Sequence, residues 1–334
     1  MVTDYKKILS NLSKKEYAPV YLLCGAEPYY IDIVSDYIED NVLNDSEKEF
    51  NLAVLYGRDV DASKVVEQAK RYPMMSPYQV VILKEAQEMK TLDEISEYVR
   101  KPLSSTILVI CHKHKKYDKR KSLSTLADKN GVYFESARIY QDKIPQWILE
   151  YTENHGYKIN QKASILLGDF LGTDLSKVAN ELNKLFILLP KGSSITEDII
   201  EKNIGISKDY NIFEFQESLA SRNVEKANRI VNYFNSNPRE NPLQKIIPIT
   251  YSFFLKVLLC FTVQDRTPSN VAVALKVAPF MTRDYIKAVK NYSYPKVVEV
   301  ISILREFDLK SKGVDSGSAT GPDMMKEMVF RILH

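Results

Sequence analysis

An apolar run, Pro19 to Gly25 (PVYLLCG), leads into the turn Gly25-Ala26-Glu27-Pro28-Tyr29-Tyr30 and then into an amphipathic stretch. A strand that ends in Gly and feeds a helix is where α/β domains hold phosphate, because backbone N–H groups and the helix N-terminus attract the anion. A working Walker A loop needs more: GxxxxGK followed by Ser or Thr, the second Gly for close approach, the Lys for the β and γ phosphates and the hydroxyl for magnesium. All three are missing here, and Glu27 repels phosphate. The carboxylates that would hold magnesium at the end of an apolar strand are missing as well, since Val80-Val81-Ile82-Leu83 runs into Lys84 and Glu85 comes one position late. Gly25, Glu27 and Pro28 therefore read as a degenerate phosphate loop that takes no nucleotide, and no cofactor is expected. No catalytic constellation is visible: there is no Ser-His-Asp order, no CxxC and no motif of paired carboxylates. His112 and His114 stand two apart with no third ligand nearby, so no metal is expected.

A different chemistry is offered by Pro73-Met74-Met75-Ser76-Pro77. The two prolines keep the segment out of helix and ladder and leave two long, adaptable thioethers that either project toward a partner's groove or cover the end of the preceding helix. The most basic stretch, His112 to Lys121, follows an apolar strand; it is either a solvated loop and helix start or a phosphate contact, with Lys119 and Arg120 as the residues concerned.

The elements that must position these residues follow from periodicity. Five β-rich runs lie within the first 140 or so residues, Pro19 to Gly25, Phe50 to Tyr56, Tyr78 to Lys84, Thr106 to Cys111 and Val132 to Ser136. Helices are expected between them, at about Tyr29 to Val42, Ala62 to Tyr72, Leu92 to Arg100 and Lys119 to Lys129. Strands alternating with helical patterns predict a parallel sheet flanked by helices. After Arg138 the segments of useful length have helical spacing. Leu175, Val178, Ala179, Leu182, Leu185, Phe186 and Leu189 form one apolar face, with Thr173 or Asp174 as cap and Pro190 as stop. Val297, Val300, Ile301, Leu304 and Phe307 draw another, followed by a loop rich in Gly and Ser from Ser311 to Gly321. Three domains are expected: an α/β domain at 1–138, a small helical domain at 139–208, and a helical bundle at 209–334.

Composition narrows the classes further. The chain has 334 residues, 46 basic and 43 acidic side chains and a net charge of +3, so any DNA contact has to be local. Cys24, Cys111 and Cys260 are far apart in apolar runs and read as buried reduced thiols of a cytoplasmic protein. The most apolar stretch, Ile246 to Val263, is interrupted by Pro248 and Lys256, and no membrane span or signal core is expected.

Three segments in order, YLLCGAEPYYIDIVSDYI, the stretch from Phe50 to Met89 that contains YGRDVDASKVVEQAKRYPMMSPYQVVILKEAQEM, and LGTDLSKVANELNKLFILLP, resemble the delta subunit of the bacterial DNA polymerase III clamp loader. The resemblance runs through almost the whole chain. It implies a degenerate AAA+ module, with an α/β domain and a three-helix lid, and a C-terminal helical collar. It further implies a subunit that binds and opens the beta sliding clamp through an apolar wedge without hydrolysing ATP. The wedge aligns with Met74 and Met75, flanked by Pro73 and Pro77; the family usually carries a Leu-Phe or similar pair, so Met-Met is a departure. The partners implied are the clamp, ATP-binding gamma/tau and delta-prime subunits through the collar, and primer-template DNA, which Lys310 and Lys312 are placed to approach. The rival readings are an ATP-binding motor subunit of a loader and an adaptor unrelated to replication.

Overall fold

The computed structural model describes residues 5–207, 210–314 and 319–334, and the chain packs into two compact units, Met1–Lys143 and Ile144–His334. In the first unit the elements run α1 (Tyr5–Ser13), β1 (Val20–Gly25), α2 (Pro28–Asn41), α3 (Asp45–Asn51), β2 (Leu52–Tyr56), α4 (Ala62–Ala69), β3 (Gln79–Lys84), α5 (Ser96–Val99), β4 (Thr106–His112), α6 (Ser122–Asn130) and β5 (Val132–Ser136). The five strands make one sheet in the order β2-β3-β4-β1-β5, every pairing parallel. β1 and β4 are buried along their whole length, which is why they read as continuous apolar runs and not as alternation.

Each strand still sends its side chains alternately to two layers. Tyr21, Leu23, Ile82 and Val109 pack with Ile8, Ile31, Val34 and Ile38 of α1 and α2. Val20, Leu22, Val81 and Leu108 pack with Val65, Val99, Leu123 and Ala127 of α4, α5 and α6. The parallel-sheet α/β expectation is met, and the boundaries differ in instructive places. Phe50 and Asn51 end a short helix and do not start a strand, because Asn44 and Glu47 form a reciprocal capping box that launches α3. α4 stops at Ala69 instead of Tyr72, where the Gln79 side-chain amide lies within hydrogen-bonding distance of the carbonyls of Gln68, Ala69 and Arg71. The stretch expected as one helix from Leu92 divides into a 3-10 turn, Leu92–Ile95, and the single turn of α5.

The second unit continues with α7 (Ile144–Asn154), β6 (Lys158–Ile159), α8 (Gln161–Leu171), α9 (Leu175–Leu188), β7 (Ser194–Ile195), α10 (Glu197–Ile204), α11 (Ile212–Ala220), α12 (Val224–Ser236), α13 (Leu243–Cys260), α14 (Pro268–Leu275), α15 (Thr282–Asn291), α16 (Tyr294–Ser311) and α17 (Gly321–Leu333). β6 and β7 pair in parallel over two residues each, too few to show a strand period in sequence. In α9 the expected face is buried at Leu175, Val178, Ala179, Leu182 and Leu185, and Asp174 is the cap, accepting from the Lys177 amide at 3.1 Å. α13 is the one helix among the described residues long and apolar enough to cross a membrane by length and composition. Its Ile246, Thr250, Phe253, Phe254 and Val257 are buried in the bundle core with Val297, Leu304 and Phe307 of α16, so its apolar character is that of a core helix. It runs through Pro248, which the sequence reading took as an interruption, at the loss of the one ladder donor a proline lacks.

Candidate functional site

The turn after β1 is held by the sheet and by its own side chain. Gly25 has φ +142°, and the Ala26 amide donates to the Ser136 carbonyl of β5 at 3.0 Å. Glu27 caps α2, its buried carboxylate accepting from the Tyr29 amide at 3.2 Å, and Pro28 opens the first turn. A negative charge of the chain's own thus occupies the positive end of α2.

The neighbouring cations are engaged in the same way. Lys84, at the end of β3, pairs with Glu39 of α2 at 2.8 Å. Lys113, just past β4, pairs with Asp32 of α2 at 2.7 Å and with Glu85 at 3.2 Å. Burial alone would lower the Lys113 ammonium, yet the hydrogen bonds and charges of Asp32 and Glu85 outweigh it and hold it above the ordinary lysine value. Burial, with repulsion from Asp32 behind it, pushes the Asp36 carboxyl up. Around Lys113 the carboxylates of Asp32 and Glu85 are therefore already engaged by a cation of the chain itself. Among the described residues no cluster of three or more His, Cys, Asp or Glu is placed to hold a metal ion.

The segment between α4 and β3 is built to project. Met74 is 59% exposed and Met75 is fully exposed, so Met75 covers nothing. Met75 also sits at φ +52°, a left-handed conformation that a residue with a Cβ adopts only when its surroundings hold it there. The brace comes from elsewhere in the chain. The Met74 amide donates to Asn51 Oδ1 at 2.7 Å, and Asn51 Nδ2 donates to the Met74 carbonyl at 2.9 Å and to the Glu47 carbonyl at 3.0 Å. At the far end, Gln79 holds the end of α4 and reaches Thr106 Oγ1 at 2.8 Å, while Tyr78 packs edge-on against Tyr17. Pro73 is half-buried and Pro77 exposed. Two apolar side chains that the sequence reading passed over are exposed beside this loop in sequence: Tyr72, which precedes it, and Phe50, next to the bracing Asn51.

The four cations expected near DNA all have carboxylate partners. Lys119 meets Glu135 at 2.7 Å, Arg120 meets Asp118 at 2.8 Å, Lys310 meets Glu306 at 2.8 Å and Lys312 meets Asp308 at 2.6 Å. Glu135 also takes Lys116 at 3.1 Å, and these hydrogen bonds, the one from Lys119 first, hold its carboxyl below the usual range. His112 is buried, lies 3.2 Å from the Lys115 carbonyl, and has its pKa lowered by that burial. On the outer side of α13, Tyr251, Leu255 and Leu259 are exposed at four-residue spacing.

Fold and site together define a protein built on a five-stranded parallel sheet, with a carboxylate capping the helix after β1 and a braced, exposed apolar loop before β3. Residues 21–137 match the family described as DNA polymerase III, delta subunit. The DNA polymerase III subunit delta of Bacillus subtilis (strain 168) is 24% identical over 324 residues, which cover 93% of this chain and 92% of that one. The solved structure of the Bacillus subtilis DNA clamp loader delta protein superposes with a TM-score of 0.55 at 20% identity over 99% of each chain, and it matches the fold described above. Over residues 21–137 the chain is thus similar to the DNA polymerase III delta subunit family, and over nearly its whole length to the Bacillus subtilis subunit.

Proposed function

We propose that this chain is the delta subunit of a clamp loader, docking Met74 and Met75 into an apolar pocket of the beta sliding clamp and favouring the opened ring. The observation that carries this reading is Met75, wholly exposed on a loop fixed at both ends. The work is interfacial. A partner that binds the open ring better than the closed one shifts the ring toward opening by that difference in affinity, with no chemistry of its own. The internal carboxylates at the α2 N-terminus support a subunit that neither binds nor hydrolyses ATP. The bundle at 209–334 serves as the collar that joins ATP-binding gamma/tau and delta-prime subunits, the helices at 139–208 serve as the lid, and the α/β domain at 1–138 carries the wedge. Primer-template DNA is met inside the assembled cytoplasmic loader, where Lys119, Arg120, Lys310 and Lys312 would have to exchange their carboxylates for phosphates.

Burying two Met side chains contributes about 3–6 kcal/mol before ordering costs are subtracted. Replacing both with Ser (Met74→Ser/Met75→Ser) is therefore expected to weaken binding to purified clamp by at least about 100-fold. Undiminished binding removes the wedge. Calorimetric titration with magnesium-ATP is expected to show no site, and micromolar binding would point instead to a motor subunit. A chain that ignores the clamp altogether would be an adaptor.

A further inference from the structure

We infer that Asn51 is a positioning residue for clamp docking, holding the peptide of Met74 so that Met75 projects; this rests on the reading of that pair as the clamp contact. Asn51 is the last residue of α3, is only 4% exposed, and lies 23 positions from its partner. Its side-chain amide engages both polar groups of one residue, taking the Met74 N–H at 2.7 Å and giving a bond to the Met74 carbonyl at 2.9 Å. A third bond, to the Glu47 carbonyl at 3.0 Å, fixes the amide to its own helix and sets which end of it faces which group. The buried amide thus fixes the peptide groups on both sides of Met74, the residue that directly precedes the left-handed Met75.

A flexible loop could carry two methionines without this device. What the device supplies is a single conformation for a residue that would otherwise leave φ +52° for the broad allowed regions at negative φ. When only a fraction of molecules presents the side chain, the apparent dissociation constant rises by the inverse of that fraction. Two lost hydrogen bonds, each with a modest net effect, reduce the docking-ready population by about tenfold. Asn51 touches no part of the clamp in this scheme and acts only through Met74 and Met75.

The test is a double-mutant cycle on the full chain binding purified sliding clamp, with hydrogen exchange at the Met74 amide read in parallel. Asn51→Ala is expected to weaken binding about tenfold, chiefly through slower productive association, and to expose the Met74 amide to exchange. In a Met75→Ser background the same change is expected to cost only about twofold, because the side chain being presented is gone. Wild-type affinity in Asn51→Ala, or a tenfold loss in both backgrounds, overturns the positioning role. Should Asn51→Ala lose its native circular dichroism, Asn51→Asp takes its place, keeping the acceptor and the volume but not the donor. It is expected to lose about threefold, and binding by Asn51→Asp at full strength overturns the inference equally. Failure of the docking reading looks different: Met75→Ser then binds the clamp as well as the wild type does.

Discussion

Replacing Gly25 with Ala separates what the sheet demands of this glycine from what a nucleotide would demand. A Cβ at Gly25 would lie 2.0 Å from the Ser136 carbonyl oxygen and 2.7 Å from the Ser136 backbone carbon and nitrogen. None of these atoms can step aside, because they belong to β5 and are paired in register with β1. The clash costs about 1–3 kcal/mol as overpacking, and φ +142° adds about 1–3 kcal/mol of backbone strain. A total of about 2–6 kcal/mol is a large share of the about 5–15 kcal/mol that holds a typical domain together. At about 2–4 °C per kcal/mol, the unfolding midpoint of the α/β unit should fall by about 10 °C. Gly156→Ala is the control: it also has positive φ, +80°, but nothing lies within 4 Å of the added carbon, so only strain of about 1–2 kcal/mol remains. Urea unfolding of the full chain by far-UV circular dichroism gives both free energies, and calorimetry gives the midpoints. If Gly25→Ala costs no more than Gly156→Ala, the β1–β5 approach is not what requires the glycine, and the argument that this turn is structural fails.

Two further outcomes follow from the titrating groups. Glu306 of α16 receives both arms of Arg331 from α17, each at 2.9 Å, and also Lys310; these bonds hold its carboxyl at about 2 instead of 4.5. A depressed carboxylate contributes stability that is complete above the unfolded value and lost as pH falls through the folded one. Glu306→Gln should therefore destabilise by up to about 1 kcal/mol at pH 7, the pair being partly exposed, with the deficit shrinking as the pH falls toward the folded value of about 2 and lost below it; an equal deficit at pH 7 and below that value would refute the pairing. Cys24, Cys111 and Cys260 are free and buried, and burial pushes the Cys111 thiol up to about 12. Native chain at pH 8 should give no prompt reaction with a thiol reagent and three equivalents after unfolding, and rapid labelling of any one would contradict its burial.

The strands were legible because both faces of β1 and β4 are covered, so burial wrote itself into the sequence as unbroken apolar runs. α9 was legible for the same reason on one face, with its cap and its stop in place. The start of β2 was misread because the aromatic Phe50 stands two residues before the apolar run Leu52–Tyr56, although Asn44 and Glu47, three residues apart, already signal a helix beginning there. α13 survives Pro248 because the bundle packs that helix on its buried face, which local propensity does not register. At the loop, the sequence announced the residues that project and not the residue that holds them. Met74 and Met75 stand out between prolines, whereas the bond from Asn51 spans 23 positions and leaves no local trace. The basic residues differ among themselves: Glu135 stands 16 positions from Lys119 and meets it only in the fold, whereas Glu306 and Lys310 are four apart on one helix, a spacing the sequence already shows.

Glu27 has a consequence for timing. A bound triphosphate changes its charge when it is cleaved and leaves when it is spent, and either event can reset the helix it touches. A carboxylate tethered to the backbone does neither, so the N-terminus of α2 stays in one electrostatic condition for the life of the molecule. Under the proposed docking to the clamp, the α/β unit then keeps no clock of its own, and the moment of each grip and release falls to the neighbours it is proposed to join.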